Sequence, residues 1–180
     1  MTKDRALIVI DVQLGLIEGF EADWQRALPA IVSVAEEARA QGAPVVLVQH
    51  CGQTPAHPLH RDRPGWALHP ELDVRPDDHR VEKTWSDAFR DTNLDELLRG
   101  LNIRSLVLTG AQTEYCVDTT ARRALSLGYD VQLVADGHTT SENGLLDREQ
   151  IIAHHNQTLA NLATNGSVLT LVPSAEISFR

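Results

Sequence analysis

Three residues with reactive side chains follow apolar segments of this chain. Asp11 comes directly after the run 6–10, Lys83 ends a short strand-like segment, and Cys116 follows the run 106–108. A cysteine becomes a nucleophile when a base takes its proton or a nearby positive charge stabilises the thiolate. Asp11 is a suitable base, and Lys83 is a cation that we expect to lower the thiol pKa. The residue types therefore indicate attack by Cys116 on a carbonyl carbon, an acyl-thioester intermediate and hydrolysis.

Each of these residues also has an ordinary structural role as an alternative. An aspartate after a first strand is often a loop-entry residue, and a lysine at the end of a short strand is often an edge residue. A lone buried cysteine usually behaves as a small hydrophobic residue. Their common placement at strand ends favours chemistry, because several elements then have to agree.

The stretch 106–124 predicts how Cys116 is presented. It begins as a buried strand, turns at Gly110 and continues as a helix with Ala121 and Ala124 at helical spacing. Cys116 lies where this helix begins, and the N–H groups and dipole of a helix N-terminus favour a thiolate. We expect the N–H groups of the turn and of Cys116 to stabilise an oxyanion.

Strands alternate with helices along the whole chain. Apolar runs predict strands at 6–10, 44–48, 80–83, 106–108, 131–135 and 167–172. Helical spacing predicts helices at 23–41 and 92–101, one from Cys116 to Gly128, and one from Asp147 to Gly166. The expected N-caps are Asp23, Thr92 and Asp147, the last in a capping box with Gln150.

This alternation predicts a parallel sheet that is covered by helices on both faces. Ligands of such sheets bind at the carboxyl ends of the strands. Asp11, Lys83 and Cys116 come from three different strands, so the fold can gather them at one edge of the sheet.

The composition limits the class of protein and its partners. The chain has 180 residues, 42% of them hydrophobic and 23% charged, and we expect residues 1–180 to form a single domain. Its net charge of -9 argues against nucleic acid as a partner, and nothing marks a membrane surface. The N-terminus shows no secretory signal, so we expect a cytoplasmic protein with Cys51 and Cys116 reduced.

Four segments of the sequence resemble the isochorismatase-like cysteine hydrolases, and they occur in that family's order: 9–13, 81–89, 108–117 and 120–124. The resemblance implies a three-layer α/β/α sandwich with a six-stranded, mainly parallel sheet. It implies Asp11 as base, Lys83 as its electrostatic partner and Cys116 as nucleophile. It also implies a cis peptide bond at Ala111–Gln112, with the Gln112 N–H joining that of Cys116 in the oxyanion hole. A homodimer or homotetramer is the implied assembly.

The long segment 49–79 is typical of a functional loop, because it holds five prolines and five histidines. We expect the substrate pocket to be lined by Gln13, His50, Trp66, Trp85 and Tyr115. Trp85 is the best aromatic candidate, since it lies two residues after Lys83, and a packing role beneath the loop is its alternative.

The resemblance also bears on metals and on the reaction. Nicotinamidases of this family carry Asp-x-His after the second strand to hold a metal, whereas residues 49–52 here read Gln-His-Cys-Gly. We therefore expect no metal and no cofactor, with His57 and His60 as the alternative zinc ligands. The presence of Cys116 with Lys83 favours cleavage of a C–N bond in a small molecule. An enol-ether hydrolase of the isochorismatase type and a catalytically silent binding relative are the alternatives.

Overall fold

The fold is a parallel sheet with helices on both faces, seen in a computed structural model that describes residues 4–162, 164 and 166–180. The strands are β1 (Arg5–Ile10), β2 (Val45–His50), β3 (His79–Lys83), β4 (Ser105–Ala111), β5 (Asp130–Thr139) and β6 (Leu169–Val172). Their order across the sheet is β3-β2-β1-β4-β5-β6, and all neighbouring pairs are parallel. The predicted α/β/α sandwich with a six-stranded sheet is confirmed.

The core lies on both faces of the sheet, as the continuous apolar runs predicted. Alternate residues of β1 point to opposite faces, Ile8 into one hydrophobic cluster and Leu7 into the other. One face is covered by α4 (Leu94–Gly100), α5 (Asp118–Ser126) and α6 (Arg148–Ala160), and the other mainly by α3 (Ala27–Ala40).

The predicted helix 23–41 is two helices in the structure. After a short α1 (Leu14–Ile17), α2 covers Glu21–Trp24 and α3 begins at Ala27. Asp23 is therefore not an N-cap. It lies inside α2, where its carboxylate accepts hydrogen bonds from Ser141 and Arg148 instead. Those partners are remote in sequence, and the local pattern could not indicate them.

Two further predicted caps had different outcomes. The capping box of Asp147 with Gln150 at the start of α6 is confirmed. The N-cap of α4 is Asn93 rather than Thr92, although the Thr92 hydroxyl still accepts a hydrogen bond from the Leu94 N–H at 3.2 Å. The segment between β2 and β3 contains two single 3-10 turns, Pro64–Trp66 and Pro70–Leu72.

β5 runs four residues beyond its predicted end at residue 135 because its pairing with β4 contains a large bulge. Leu108 pairs with Leu133, but Gly110 pairs with His138, so two steps along β4 correspond to five along β5. The three extra residues let β5 continue to the carboxyl edge of the sheet. They bring His138 beside the turn that follows β4.

In the part of the chain that the structure describes, no helix combines the length and apolar character needed to cross a membrane.

Candidate active site

Asp11, Lys83 and Cys116 meet at the carboxyl edge of the sheet. The Lys83 ammonium donates to Asp11 Oδ2 at 2.7 Å and to Cys116 Sγ at 3.2 Å. Asp11 follows β1, Lys83 ends the edge strand β3, and Cys116 lies in the turn between β4 and α5. Asp11 and Lys83 are buried, whereas Cys116 is partly exposed and can be reached from solvent.

His50 is the third neighbour of the Lys83 ammonium. Its Nδ1 lies 3.3 Å from Lys83 Nζ. A lysine ammonium has three N–H donors and no acceptor, so Nδ1 must be the accepting, unprotonated ring nitrogen. His50 ends β2, so four adjacent strands each supply one group to this cluster.

The surroundings of Cys116 favour the protonated thiol over the thiolate. Burial raises the pKa of the thiol to about 12, the charge of Asp11 adds to the rise, and Lys83 offsets only part of it. The direction of this shift runs against the thiolate expected at a helix N-terminus, which stays a prediction. Cys116 also lies before α5, in a π-helical turn formed by Thr113–Val117.

The pKa values of Lys83 and His50 are shifted in opposite directions. Burial alone would lower the pKa of Lys83, but the charge of Asp11 and the hydrogen bonds of Lys83 to Asp11 and Cys116 outweigh it, and the pKa is raised. The pKa of His50 is lowered by burial and by the Lys83 charge. The resting cluster is thus a cationic lysine with a neutral histidine and a neutral thiol.

The backbone around the site has two special conformations. Asp11 has φ 53°, in the left-handed region that non-glycine residues seldom adopt. Gly110 has φ 121°, and a Cβ there would lie 2.0 Å from the Ile10 carbonyl oxygen, so only glycine fits between β1 and the turn. The next peptide bond, Ala111–Gln112, for which the resemblance implies the cis form, is cis in the structure.

Gln13 was predicted to line the substrate pocket, but in the structure its side chain is buried. Its side chain is fully buried and bonds only to backbone, accepting from the His50 N–H at 2.8 Å and donating to the His50 and Trp66 carbonyls at 3.1 and 2.9 Å. It positions His50 and the segment around Trp66 rather than lining an open pocket. Trp66 in turn donates its indole N–H to Cys51 Sγ at 3.3 Å.

Two of the aromatic residues predicted to line the pocket, Tyr115 and Trp85, are exposed and lie close in sequence to Cys116 and Lys83. Tyr115 is 53% exposed and adjoins Cys116. Trp85 is 41% exposed, with its indole N–H bonded to Asp91 at 3.0 Å and the Arg90 guanidinium 3.7 Å above its ring. Trp85 is thus a surface residue held by its own loop, which disfavours the alternative of a packing residue.

One group of potential metal ligands occurs in the described part of the chain: Asp11, His50 and Cys116, with donor atoms within 4.8 Å of one another. The Lys83 ammonium already lies within 3.3 Å of all three, so it occupies the place of a cation. The loop residues His57 and His60 use Nδ1 to accept the backbone N–H of Leu59 and Asp62.

A further buried polar side chain, that of His138, lies next to the turn that carries Cys116 and was not predicted from the sequence. His138 is 2% exposed and lies within hydrogen-bond distance of Thr113, in the same turn as Cys116. The histidine is visible in the sequence after the run 131–135, but the predicted strand ended before it.

The fold and the clustered side chains define an α/β protein with a cysteine-centred site at the strand ends. A sequence model described as the isochorismatase domain matches residues 5–171. The chain therefore belongs to the isochorismatase family of hydrolases.

Named relatives agree with this assignment. Streptothricin hydrolase from Streptomyces noursei is 39% identical over 138 residues, which cover 76% of this chain and 54% of that protein. The chain thus spans about half the length of the streptothricin hydrolases it matches. Ureidoacrylate amidohydrolase from Agrobacterium fabrum is 41% identical over 64 residues, or 36% of this chain and 28% of that protein. The crystal structure of an isochorismatase from Pseudomonas putida superposes with a TM-score of 0.89 at 26% identity, covering 98% of this chain and 91% of that one.

Proposed function

We propose that this protein is a metal-independent cysteine hydrolase that cleaves a C–N bond of a small molecule through an acyl thioester on Cys116. The observation that carries the proposal is the position of Lys83 Nζ, 2.7 Å from Asp11 and 3.2 Å from Cys116. This ammonium compensates a negative charge on either partner, so the charge can move from carboxylate to sulfur without losing its counter-ion.

The first step is proton transfer coupled to attack. Asp11 Oδ1 is buried and has no hydrogen-bond partner within the described residues, so this oxygen is free to accept the thiol proton. Because the thiol pKa is about 12, the proton leaves as the sulfur attacks rather than beforehand. The S–C bond forms, the carbonyl π electrons move to oxygen, and the Gln112 and Cys116 N–H groups stabilise the oxyanion.

The next steps return the enzyme to its resting state. The tetrahedral intermediate collapses, the C–N bond breaks, and Asp11 gives its proton to the leaving nitrogen. Water then attacks the thioester carbon with Asp11 again as base. The S–C bond breaks, the carboxylic acid product leaves and Cys116 regains its proton.

The relatives support the hydrolytic class rather than a particular substrate. One is named a streptothricin hydrolase and another an amidohydrolase. Both names are consistent with hydrolysis of a C–N bond. The substrate pocket that we propose contains His50, Trp66, Trp85 and Tyr115.

A panel of small carboxamides, lactams and carbamoyl compounds, read by ammonia or amine release, tests the proposal, with isochorismate as the enol-ether substrate. We expect turnover by the EDTA-treated wild type and by Cys51→Ala, none by Cys116→Ala, and an acyl adduct on Cys116 in mass spectrometry. Turnover by Cys116→Ala contradicts the covalent mechanism. Cleavage of isochorismate alone supports the enol-ether alternative, and no turnover with an unreactive thiol supports a silent binding relative.

We further propose a cytoplasmic homodimer or homotetramer. A nucleophilic thiol needs a reducing compartment, and both cysteines are free. Phe20, Tyr115 and Leu145 are exposed apolar side chains and offer contact surface for a second copy. Light scattering coupled to size-exclusion chromatography measures the assembly, and a monomer contradicts it.

A further inference from the structure

A chain of buried hydrogen bonds connects the turn that carries Cys116 to α6, which packs on the same face of the sheet. Thr113 Oγ1 lies 2.9 Å from His138 Nδ1, and His138 Nε2 lies 2.8 Å from Asn156 Oδ1 on α6. Asn156 Nδ2 donates to the Ala135 carbonyl at 3.2 Å. Thr113 and His138 are both almost fully buried, so each of these polar groups depends on its partner in the chain.

The direction of every hydrogen bond in this chain follows from its far end. The Ala135 carbonyl can only accept, so the Asn156 amide nitrogen faces it and the Asn156 oxygen faces His138. An amide oxygen can only accept, so His138 carries its proton on Nε2. Nδ1 is then the acceptor, and the Thr113 hydroxyl donates to it. A single tautomer of His138 therefore satisfies all four groups.

The β5 bulge explains why His138 reaches the turn. The three extra residues of β5 shift the pairing so that His138 lies opposite Gly110, one residue before the Ala111–Gln112 peptide. Bulges commonly re-aim a side chain next to an active site. Without the shift, the position opposite Gly110 would belong to a residue near 135, and the histidine would lie beyond the end of the ladder.

We propose that His138 is a positioning residue, held in its Nε2–H tautomer by Asn156, which fixes the Cys116 turn through the Thr113 hydroxyl. This inference rests on the proposed function of Cys116. His138 does not touch the reacting atoms, and its role is to hold the π-helical turn so that the thiol stays aligned with Asp11 and Lys83. The pKa of His138 is lowered to about 4, mainly by burial, which keeps the ring neutral.

The first test compares Thr113→Val, which removes the hydroxyl at nearly constant volume, with Thr113→Ser, which keeps it. We expect Thr113→Val to lower kcat by about 10- to 100-fold with little change in KM, because misalignment of a nucleophile costs rate rather than binding. Thr113→Ser, which keeps the hydroxyl, should retain most of the wild-type kcat. Thr109→Val is the matched control, since its buried hydroxyl donates to the Ile8 carbonyl and, among the described residues, has no bond to the Cys116 turn. It should lower stability and leave kcat unchanged.

A double-mutant cycle tests whether the chain acts as one unit. Thr113 and Asn156 are connected through the two ring nitrogens of His138. We expect Thr113→Val and Asn156→Leu together to lower kcat about as much as the stronger single variant. Effects that multiply, or a Thr113→Val enzyme with the kcat of Thr113→Ser, overturn the proposal.

Two measurements test the role of His138 without relying on substrate turnover, and the second does not rely on any variant. The rate of Cys116 alkylation by iodoacetamide should fall in Thr113→Val and not in Thr113→Ser, even if no substrate is hydrolysed. Nitrogen-15 NMR of the wild-type protein should show His138 neutral with its proton on Nε2. A proton on Nδ1, or equal alkylation of the two variants, overturns the inference. Failure of the proposed function appears instead as hydrolysis by Cys116→Ala.

Discussion

Replacing Asp11 with asparagine should make Cys116 more reactive towards a simple alkylating agent while abolishing hydrolysis. The substitution is conservative in structure. Asparagine tolerates the left-handed backbone at φ 53°, and its amide oxygen can still accept from Lys83. What it removes is the negative charge that, with burial, keeps the proton on the Cys116 sulfur.

The size of this effect follows from the geometry. A carboxylate oxygen of Asp11 lies within 4.8 Å of Cys116 Sγ. At an effective dielectric constant of about 20, two negative charges at that distance repel by about 3.5 kcal/mol. Removing the repulsion raises the thiolate fraction about 300-fold, at about 1.4 kcal/mol per tenfold. A less basic thiolate is a weaker nucleophile, with a Brønsted coefficient of about 0.45, so the net gain in alkylation rate is about 25-fold.

The assay measures iodoacetamide alkylation of Cys116 by mass spectrometry at neutral pH, in a Cys51→Ala background. Ammonia release on the best amide is followed in parallel and should fall by at least about 100-fold, since the base is lost. Glu82→Gln is the control, because it removes an exposed charge next to Lys83. Alkylation that stays constant or slows in Asp11→Asn would show that the resting thiol is already ionised, and retained hydrolysis would show that Asp11 is not the base.

Alkylation of wild-type Cys116 should keep rising with pH well into the alkaline range, because the thiol ionises only near its pKa of about 12; a plateau near neutrality contradicts this. Gly110→Ala should lower the free energy of unfolding, measured in urea, by about 3 kcal/mol or more, because the new Cβ clashes with the Ile10 carbonyl. The control is Gly100→Ala, in an open helical position, which should leave this free energy unchanged or raise it slightly. Gln13→Leu removes three hydrogen bonds to backbone and should cost about 2–4 kcal/mol of stability, with loss of activity, measured by urea unfolding and ammonia release.

The sequence was sufficient for the sheet and for the place where the reactive residues meet. Parallel strands that are buried on both faces are continuous apolar runs, and their carboxyl ends share one edge of the sheet. Asp11, Lys83 and Cys116 therefore had to lie near one another. The capping box at Asp147 was also predictable, since both of its partners are local.

Features that depend on burial or on remote partners were not predictable. Burial raises the pKa of the Cys116 thiol, and no local sequence pattern reports burial. Gln13 bonds to the backbone of segments 37 and 53 residues away. β5 continues to Thr139 through a bulge that interrupts its apolar run, so neither the strand end nor the role of His138 could be deduced.

The position of Lys83 on β3 has a consequence for how the enzyme loses activity. β3 is an edge strand that pairs with β2 alone, and edge strands open at lower free energy than the middle of a sheet. When β3 detaches, the ammonium leaves with it, while β1 and β4 keep Asp11 and Cys116 in place without a counter-charge. We therefore expect the proposed activity and the global fold to be lost in different cooperative steps. Warming or mild denaturant should silence the enzyme while its far-UV circular dichroism still looks native.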